Sequence, residues 1–256
     1  MQAAEYPYFA TGFQALAHRG GAWPGTGENS RAAFARAVAA GYGYLETDVH
    51  ASADGVLVAF HDESLDRVSD GTGLVADHTW AELATVRIGG TDPIPLLADL
   101  FAAFPRARFN IDIKAAGATA PLAELITATG AGDRVCVSSF SLARIAAFRR
   151  LVGPRVATGL SRLGVVLLWL GPPLLPRLIR GQAAQVPQRF WKDRIPLVTP
   201  RFVRTAHRHG IKVNVWTIND AATMESLIDL GVDGIVTDQP EMLRTILEQR
   251  GKWEEQ

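Results

Sequence analysis

Short apolar runs alternate with helical patterns along nearly the whole 256-residue chain. Strand-like runs fall at 13–17, 44–49, 109–113, 134–137, 155–159, 183–186, 212–216 and 234–237. Between most of them, apolar positions recur at helical spacing, at 30–40, 121–129, 142–151, 200–209, 221–230 and 240–249. Ser30, Ser141 and Asp220 stand where N-caps are needed, and Pro240 suits a first helical turn. Strand–helix alternation predicts a parallel sheet covered by helices. Eight such strands predict a closed (β/α)8 TIM barrel. The competing architecture is an open doubly wound sheet, but no G-x-G-x-x-G follows a strand.

One connection breaks the rhythm. Residues 51–108 separate the second and third strands and hold a short apolar run at 56–60, then His61 and Asp62. Glycines at 71 and 73, Trp80 and Pro93-Ile94-Pro95 follow. A connection this long needs structure or function of its own. It is expected to be an elaborated loop region over the barrel mouth, an insertion within a single domain spanning 1–256.

Composition narrows the picture. Hydrophobic residues make up 48% and charged residues 20%, as in an ordinary globular chain. Lys+Arg and Asp+Glu are both 26, so no global basic field draws the chain to nucleic acid. No obligate protein partner is implied either. Cys136 is the only cysteine, which excludes an internal disulfide and a thiolate metal cluster. It lies in an apolar run and is expected to be an inert core thiol. Residues 1–9 show neither a basic n-region nor a long apolar run, so the cytoplasm is the expected compartment.

The reactive residue types cluster at strand ends, where a barrel of this kind places its chemistry. The first strand ends at His18-Arg19, the second carries Glu46 and Asp48, and the third carries Asp112 and Lys114. Residues i and i+2 of a strand share a face. Three carboxylates converging from neighbouring strands suit a hard divalent cation, Mg2+ or Ca2+. The same residues could instead form a charge-paired network with Lys114 or Arg19. His18 and His61 are suited to general acid–base work, or to a structural role. Arg19 can fork onto phosphate oxygens or pair with Glu46 or Glu28. Trp216 could wall a cleft or pack the barrel.

The chain resembles the glycerophosphodiester phosphodiesterases, a (β/α)8 barrel family. The resemblance rests on Ala17-His18-Arg19-Gly20-Gly21, Glu28-Asn29-Ser30, Leu45-Glu46-Thr47-Asp48 and Phe60-His61-Asp62. It continues through Asn110-Ile111-Asp112-Ile113-Lys114, Ser138-Ser139-Phe140, Asn214-Val215-Trp216-Thr217 and Thr237-Asp238-Gln239-Pro240. It implies a metal-dependent hydrolase with His18 and His61 as the acid–base pair. Glu46, Asp48 and Asp112 would hold one divalent cation. Arg19 and Lys114 would hold the phosphate, and Glu28, Ser139 and Trp216 would line the substrate. The glycines after Arg19 would let the backbone pass close to the phosphate. The implied reaction yields sn-glycerol 3-phosphate and an alcohol from a small phosphodiester. Asp112 stands where many members carry glutamate, which leaves the choice between Mg2+ and Ca2+ open. An inactive barrel that only binds a phosphorylated ligand is the contrasting class, and it would need no histidine pair.

One further segment bears on the leaving alcohol. Residues 163–176 form an uncharged run, with Arg177 and Arg180 after it. It is too short and too rich in proline to span a bilayer. It is either a buried, kinked helix or an apolar flap with Trp169 at its tip. A flap would bring lipid or membrane-surface contact through 163–180 and favour lysophospholipids, cleaved to lysophosphatidic acid.

Overall fold

The structure is a computed structural model, and it describes residues 2–10, 12–171, 179–190 and 194–254. The chain opens with β1 (Gln14–Ala17), α1 (Arg31–Ala39), β2 (Tyr44–Ala51) and β3 (Leu57–Ala59). Then come α2 (Trp80–Leu83), β4 (Arg87–Ile88), β5 (Asp92–Pro93), α3 (Leu97–Ala103) and β6 (Arg108–Ile113). The middle holds α4 (Thr119–Thr129), β7 (Val135–Ser138), α5 (Leu142–Val152), β8 (Ala157–Thr158) and α6 (Arg162–Leu170). Beyond it lie β9 (Ala183–Pro187), β10 (Arg189–Phe190), β11 (Ile195–Pro196) and α7 (Pro200–Arg208). The last elements are β12 (Lys212–Trp216), α8 (Ala221–Leu230), β13 (Gly234–Thr237) and α9 (Pro240–Gln249).

Eight parallel strands run β8-β7-β6-β2-β1-β13-β12-β9 around a ring. A parallel bridge between Gly159 and Ala183 joins the two ends, with Leu160 N–H donating to the Ala183 carbonyl at 2.7 Å. This is the expected (β/α)8 barrel. The expected helix starts hold because their caps are local: Ser30, Ser141 and Asp220 each accept a backbone N–H three residues on.

Two apolar layers hold the barrel. One lies between strands and helices, where Phe34, Leu45, Phe109, Phe148 and Phe202 are buried. The other fills the barrel interior, where Leu16, Tyr44, Cys136 and Val236 meet Tyr6, Tyr8 and Phe9 of the N-terminal segment. The Tyr44 hydroxyl donates to the Tyr8 carbonyl at 2.6 Å and that of Tyr6 to Pro154 at 2.8 Å. Residues 3–9 therefore plug the end opposite the mouth, a role the sequence pattern did not show. Burial pushes the Cys136 thiol up to about 12, as an inert core cysteine requires.

The long connection is only partly loop. Val58, Phe60, Leu65, Val75, Leu83, Ile88 and Ile94 form a separate small core within it. The helix α3 belongs to the barrel itself, since Leu97, Leu100 and Phe101 join the main core. The insertion thus ends before Leu97 rather than at residue 108. The described part of the run after β8 is a helix, the first of its two expected forms: α6, capped by Ser161 and ended by Gly171 at φ +66°. Trp169 is not an exposed tip. Its ring packs 5.5 Å from that of Phe190. Residues 172–178 of the same run lie outside the described residues.

Candidate active site

Strand pairing sets the site. In β2, Tyr44, Glu46 and Asp48 share the inward face, and register places Glu46 beside Asn110 and Asp48 beside Asp112. Asp112 in turn lies beside Ser138. The interior therefore changes from apolar at Tyr44 to acidic at Asp48, toward the C-terminal strand ends. A hairpin then brings in His61. The strand β3 pairs antiparallel with the end of β2, and Phe60 N–H donates to the Asp48 carbonyl at 3.0 Å. His61 emerges beside the acidic layer for that reason.

The turn after β1 does the same for His18 and Arg19. Arg19 adopts φ +50°, and Gly20 and Gly21 both adopt φ +88°. These left-handed residues swing the Arg19 N–H onto Glu46 Oε2 at 3.0 Å. A Cβ on Gly20 would lie 2.8 Å from the Ala33 Cβ, and one on Gly21 would lie 2.9 Å from Pro240 Cγ. The two glycines thus seat the turn against α1 and the start of α9. Packing against the protein itself is sufficient to require glycine at both positions.

Each histidine is oriented by a carboxylate. His18 Nδ1 lies 2.6 Å from Asp238 Oδ1, and His61 Nδ1 lies 2.5 Å from Asp62 Oδ1. With Nδ1 protonated toward its carboxylate, Nε2 of each ring is left for chemistry. His18 Nε2 faces Glu46 Oε2 at 4.0 Å. Burial alone would lower His18, but the Asp238 hydrogen bond and the Glu46 charge carry it above its ordinary value. Burial dominates at His61 and holds it below.

Lys114 joins the carboxylates, with Nζ 2.9 Å from Asp48 Oδ1 and 2.8 Å from Asp112 Oδ2. Arg19 Nε lies 3.4 Å from Asp48 Oδ2, an ion contact without hydrogen-bond geometry. Its guanidinium also donates to Glu28 at 2.9 Å. Arg67 ties Glu28 to Asp62, donating to Glu28 Oε1 at 2.6 Å and to Asp62 Oδ1 at 3.1 Å. Asn29 reaches Asp48 Oδ2 at 3.4 Å and accepts from the Thr47 hydroxyl at 2.8 Å.

The acidic layer remains short of positive charge. Burial pushes Asp112 up to about 6 despite Lys114, and its Oδ1 is buried without a hydrogen-bond partner. Burial and the neighbouring Asp48 also raise Glu46. Among the described residues no three His, Cys, Asp or Glu side chains converge in ligating geometry, because Lys114 lies between Asp48 and Asp112. The donor set itself, three buried carboxylates with one orphaned oxygen, fits a hard cation.

Of the residues singled out in the sequence, His18, Arg19, Glu28, Glu46, Asp48, His61, Asp112 and Lys114 are brought together. Trp216 stands at the same mouth, its ring 5.9 Å from Phe140 in an edge-to-face contact. Ser139 is different: it is buried, and its hydroxyl donates to the Ile113 carbonyl at 2.8 Å. It ties β7 to β6 instead of lining the mouth. Asp238, Asp62 and Arg67 were not assigned from sequence, although all three lie in or beside the quoted motifs.

The fold and this mouth define a (β/α)8 barrel equipped with two oriented imidazoles, an acidic layer and two cations. The chain belongs to the glycerophosphoryl diester phosphodiesterase family, whose pattern it matches over residues 18–242, and is a phosphoric diester hydrolase. It is 38% identical over 250 residues to a Mycobacterium tuberculosis protein named Probable glycerophosphodiester phosphodiesterase 2, covering 94% of this chain and 92% of that one. A glycerophosphodiester phosphodiesterase structure from Agrobacterium tumefaciens superposes with a TM-score of 0.76 at 25% identity, over 90% of this chain and 98% of that one. An Oleispira antarctica phosphodiesterase, solved with its product sn-glycerol-3-phosphate, shares the fold with a TM-score of 0.73. It is 23% identical, over 92% of this chain and 96% of that one.

Proposed function

We propose that this chain hydrolyses a glycerophosphodiester to sn-glycerol 3-phosphate and an alcohol, with His18 and His61 as the acid–base pair. The observation that carries the reading is the matched orientation of the two rings. Each has Nδ1 held by a carboxylate and Nε2 without a hydrogen bond among the described residues, that of His18 facing Glu46 Oε2 at 4.0 Å. One Nε2 takes a proton from the attacking hydroxyl, supplied by water or by the 2-OH of glycerol. The bond from phosphorus to the leaving oxygen breaks, and the other ring's Nε2–H protonates that oxygen. If the 2-OH attacks, a cyclic phosphate forms first and water opens it.

Arg19 and Lys114 would offset the charge that builds on the phosphoryl oxygens. Glu28 and Arg67 hold Arg19 and Asp62 in place. Trp216 and Phe140 would wall the leaving alcohol. Glu46, Asp48 and Asp112 would hold one Mg2+ or Ca2+ ion, which supplies Lewis acidity toward phosphoryl oxygens when bound.

The test is an assay for glycerol 3-phosphate released from glycerophosphocholine, with Mg2+ and Ca2+ compared. Turnover that survives in excess chelator would remove the cation from the reading. Full turnover by His18→Ala or His61→Ala would remove the acid–base pair.

A second reading, cleavage of lysophospholipids to lysophosphatidic acid, is favoured by one observation. Leu163, Val166 and Leu170 form an exposed apolar stripe on α6, the helix that follows β8 from the mouth. Equal or better cleavage of glycerophosphocholine than of lysophosphatidylcholine would count against it.

A further inference from the structure

The net charge of zero conceals a partition. Residues 115–220 hold fifteen Lys and Arg against four Asp and Glu, while the remaining residues hold eleven against twenty-two. This stretch supplies β7, β8, β9 and β12, which are consecutive around the ring. Among the described residues the counts are thirteen against three and eleven against twenty-one, so the partition is spatial: one side of the barrel is strongly cationic and the other, with β1, β2 and β13, is anionic.

Exposed apolar side chains follow the same division. Among the described residues ten large apolar side chains are exposed, and seven of them lie in the cationic stretch. Scattered single exposures need no explanation, but a one-sided group does. Most of this group belongs to three adjacent connections leaving the C-terminal ends of β7, β8 and β9. Phe140 and Leu142 follow β7, Leu163 follows β8, and Ile195 follows β9. Arg144, Arg162 and Arg194 stand among them. The described residues of these connections, through the first turns of α5 and α6, include no Asp or Glu.

The helix α6 extends the pattern downward. Its positions 163, 166 and 170 share one face and are 54%, 50% and 55% exposed. Arg162 precedes that face and lies over the Phe140 ring at 5.0 Å. Arg201 reaches its far end, donating to the Leu170 carbonyl. No helix among the described residues is long and apolar enough to cross a membrane.

We infer that the rim formed by the described residues of the β7, β8 and β9 connections, continued by the exposed face of α6, docks onto an anionic lipid surface. Apolar side chains that insert shallowly and arginines that meet acidic head groups are the two components such docking needs. A soluble anionic head group would account for the arginines but not for Leu142, Leu163, Val166 and Ile195. A neutral bilayer would account for the apolar residues but not for the charge partition. The docking rim borders the mouth at Phe140, so a docked enzyme would open toward the bilayer. This goes beyond the proposed reaction and would hold for either substrate.

The test is sedimentation of the full chain with vesicles of phosphatidylcholine alone or mixed with phosphatidylglycerol. Binding is expected to the mixed vesicles only, and to weaken as salt rises. The double substitution Leu163→Glu with Val166→Glu should lower that binding at least tenfold. Should it fail to fold, Arg162→Gln and Arg194→Gln probe the same face, each costing about fivefold. Turnover of glycerophosphocholine without vesicles should be unchanged in every variant. Absence of wild-type binding to the mixed vesicles would overturn the inference, as would variants that bind as well as wild type. A concentration-dependent dimer that the double variant dissociates would also overturn it, by showing that a second copy covers the stripe. Failure of the wild type to cleave any diester would overturn the proposed reaction instead, and vesicle binding would still be measurable.

Discussion

Lys114 Nζ lies 2.9 Å from Asp48 Oδ1, and this pair is the hinge of the acidic layer. The same ammonium bonds Asp112 on its own strand. Those two carboxylates raise Lys114 above its ordinary value, outweighing the burial that would lower it. Lys114→Ala leaves two buried carboxylates without their shared partner. The expected loss of stability is about 3 kcal/mol, the low end for breaking a buried pair, because Asp112 can take up a proton. Thermal melts should also show Mg2+ or Ca2+ restoring more stability to this variant than to Lys114→Ala with Glu46→Ala.

Asp238 touches no phosphate in the proposed reaction, yet it fixes the His18 ring. Asp238→Asn should leave KM nearly unchanged and lower kcat roughly tenfold or more. His18→Ala should cost the full ~10²–10⁴ that a positioned acid or base supplies. Steady-state kinetics on glycerophosphocholine separates the two. A large rise in KM for Asp238→Asn would place it in substrate binding instead.

Arg67 and His61 hold the Asp62 carboxyl down at about 2, through hydrogen bonds that outweigh burial. A lowered carboxyl stabilises the fold above its unfolded value, about 3.9, and that share is lost as pH falls through about 2. On the carboxyl's account the stability gap between wild type and Asp62→Asn should be full above pH ~4 and close below it, with a second change where His61 titrates, because the Asp62 hydrogen bond raises that imidazole. The Asp62 side chain is 24% exposed and its Arg67 partner 49%, so solvent screening should keep the gap modest. Melting temperatures taken across the acid range check this.

Cys136 offers a control on barrel integrity. Its thiol is fully buried and pushed up to about 12 by that burial. Iodoacetamide at mild alkaline pH should leave the folded chain unmodified and label it after denaturation. Labelling of the native chain at a free-thiol rate would show that the N-terminal plug opens.

The barrel was legible because its signals are local. Each expected strand or helix carried its own periodicity, and the serine caps sit within four residues of the N–H groups they accept. Three helices among the described residues lay outside the periodic segments, and α2, with four residues, Trp80–Leu83, is the shortest. The helix α3 has only seven residues, Leu97–Ala103, too few to show a period. The helix α6, RLGVVLLWL, has no polar face to contrast with its apolar one. The acidic layer was equally legible, since strand period alone puts Glu46 with Asp48 and Asp112 with Lys114. The ring orienters were harder. Asp238 is 220 residues from His18, a pairing only the closed ring reveals. Asp62 adjoins His61, but adjacency does not say which way a carboxylate turns. Ser139 shows the converse, a hydroxyl in the right motif whose backbone partner takes it out of the mouth.

The strands β1 and β13 are separated by more than two hundred residues of sequence, yet they are neighbours, pairing from Gln14 with Gly234 to Ala17 with Thr237. A nascent chain synthesised as far as Trp216 already contains both histidines, all three carboxylates of the acidic layer, and Arg19 and Lys114. It lacks the strand that closes the ring beside β1 and the carboxylate that turns His18. Such a chain holds nearly every reactive group but has no working arrangement of them. On the proposed reaction, competence waits on the docking of β13, since a chain that stops before it holds the reactive groups without the strand and carboxylate that arrange them.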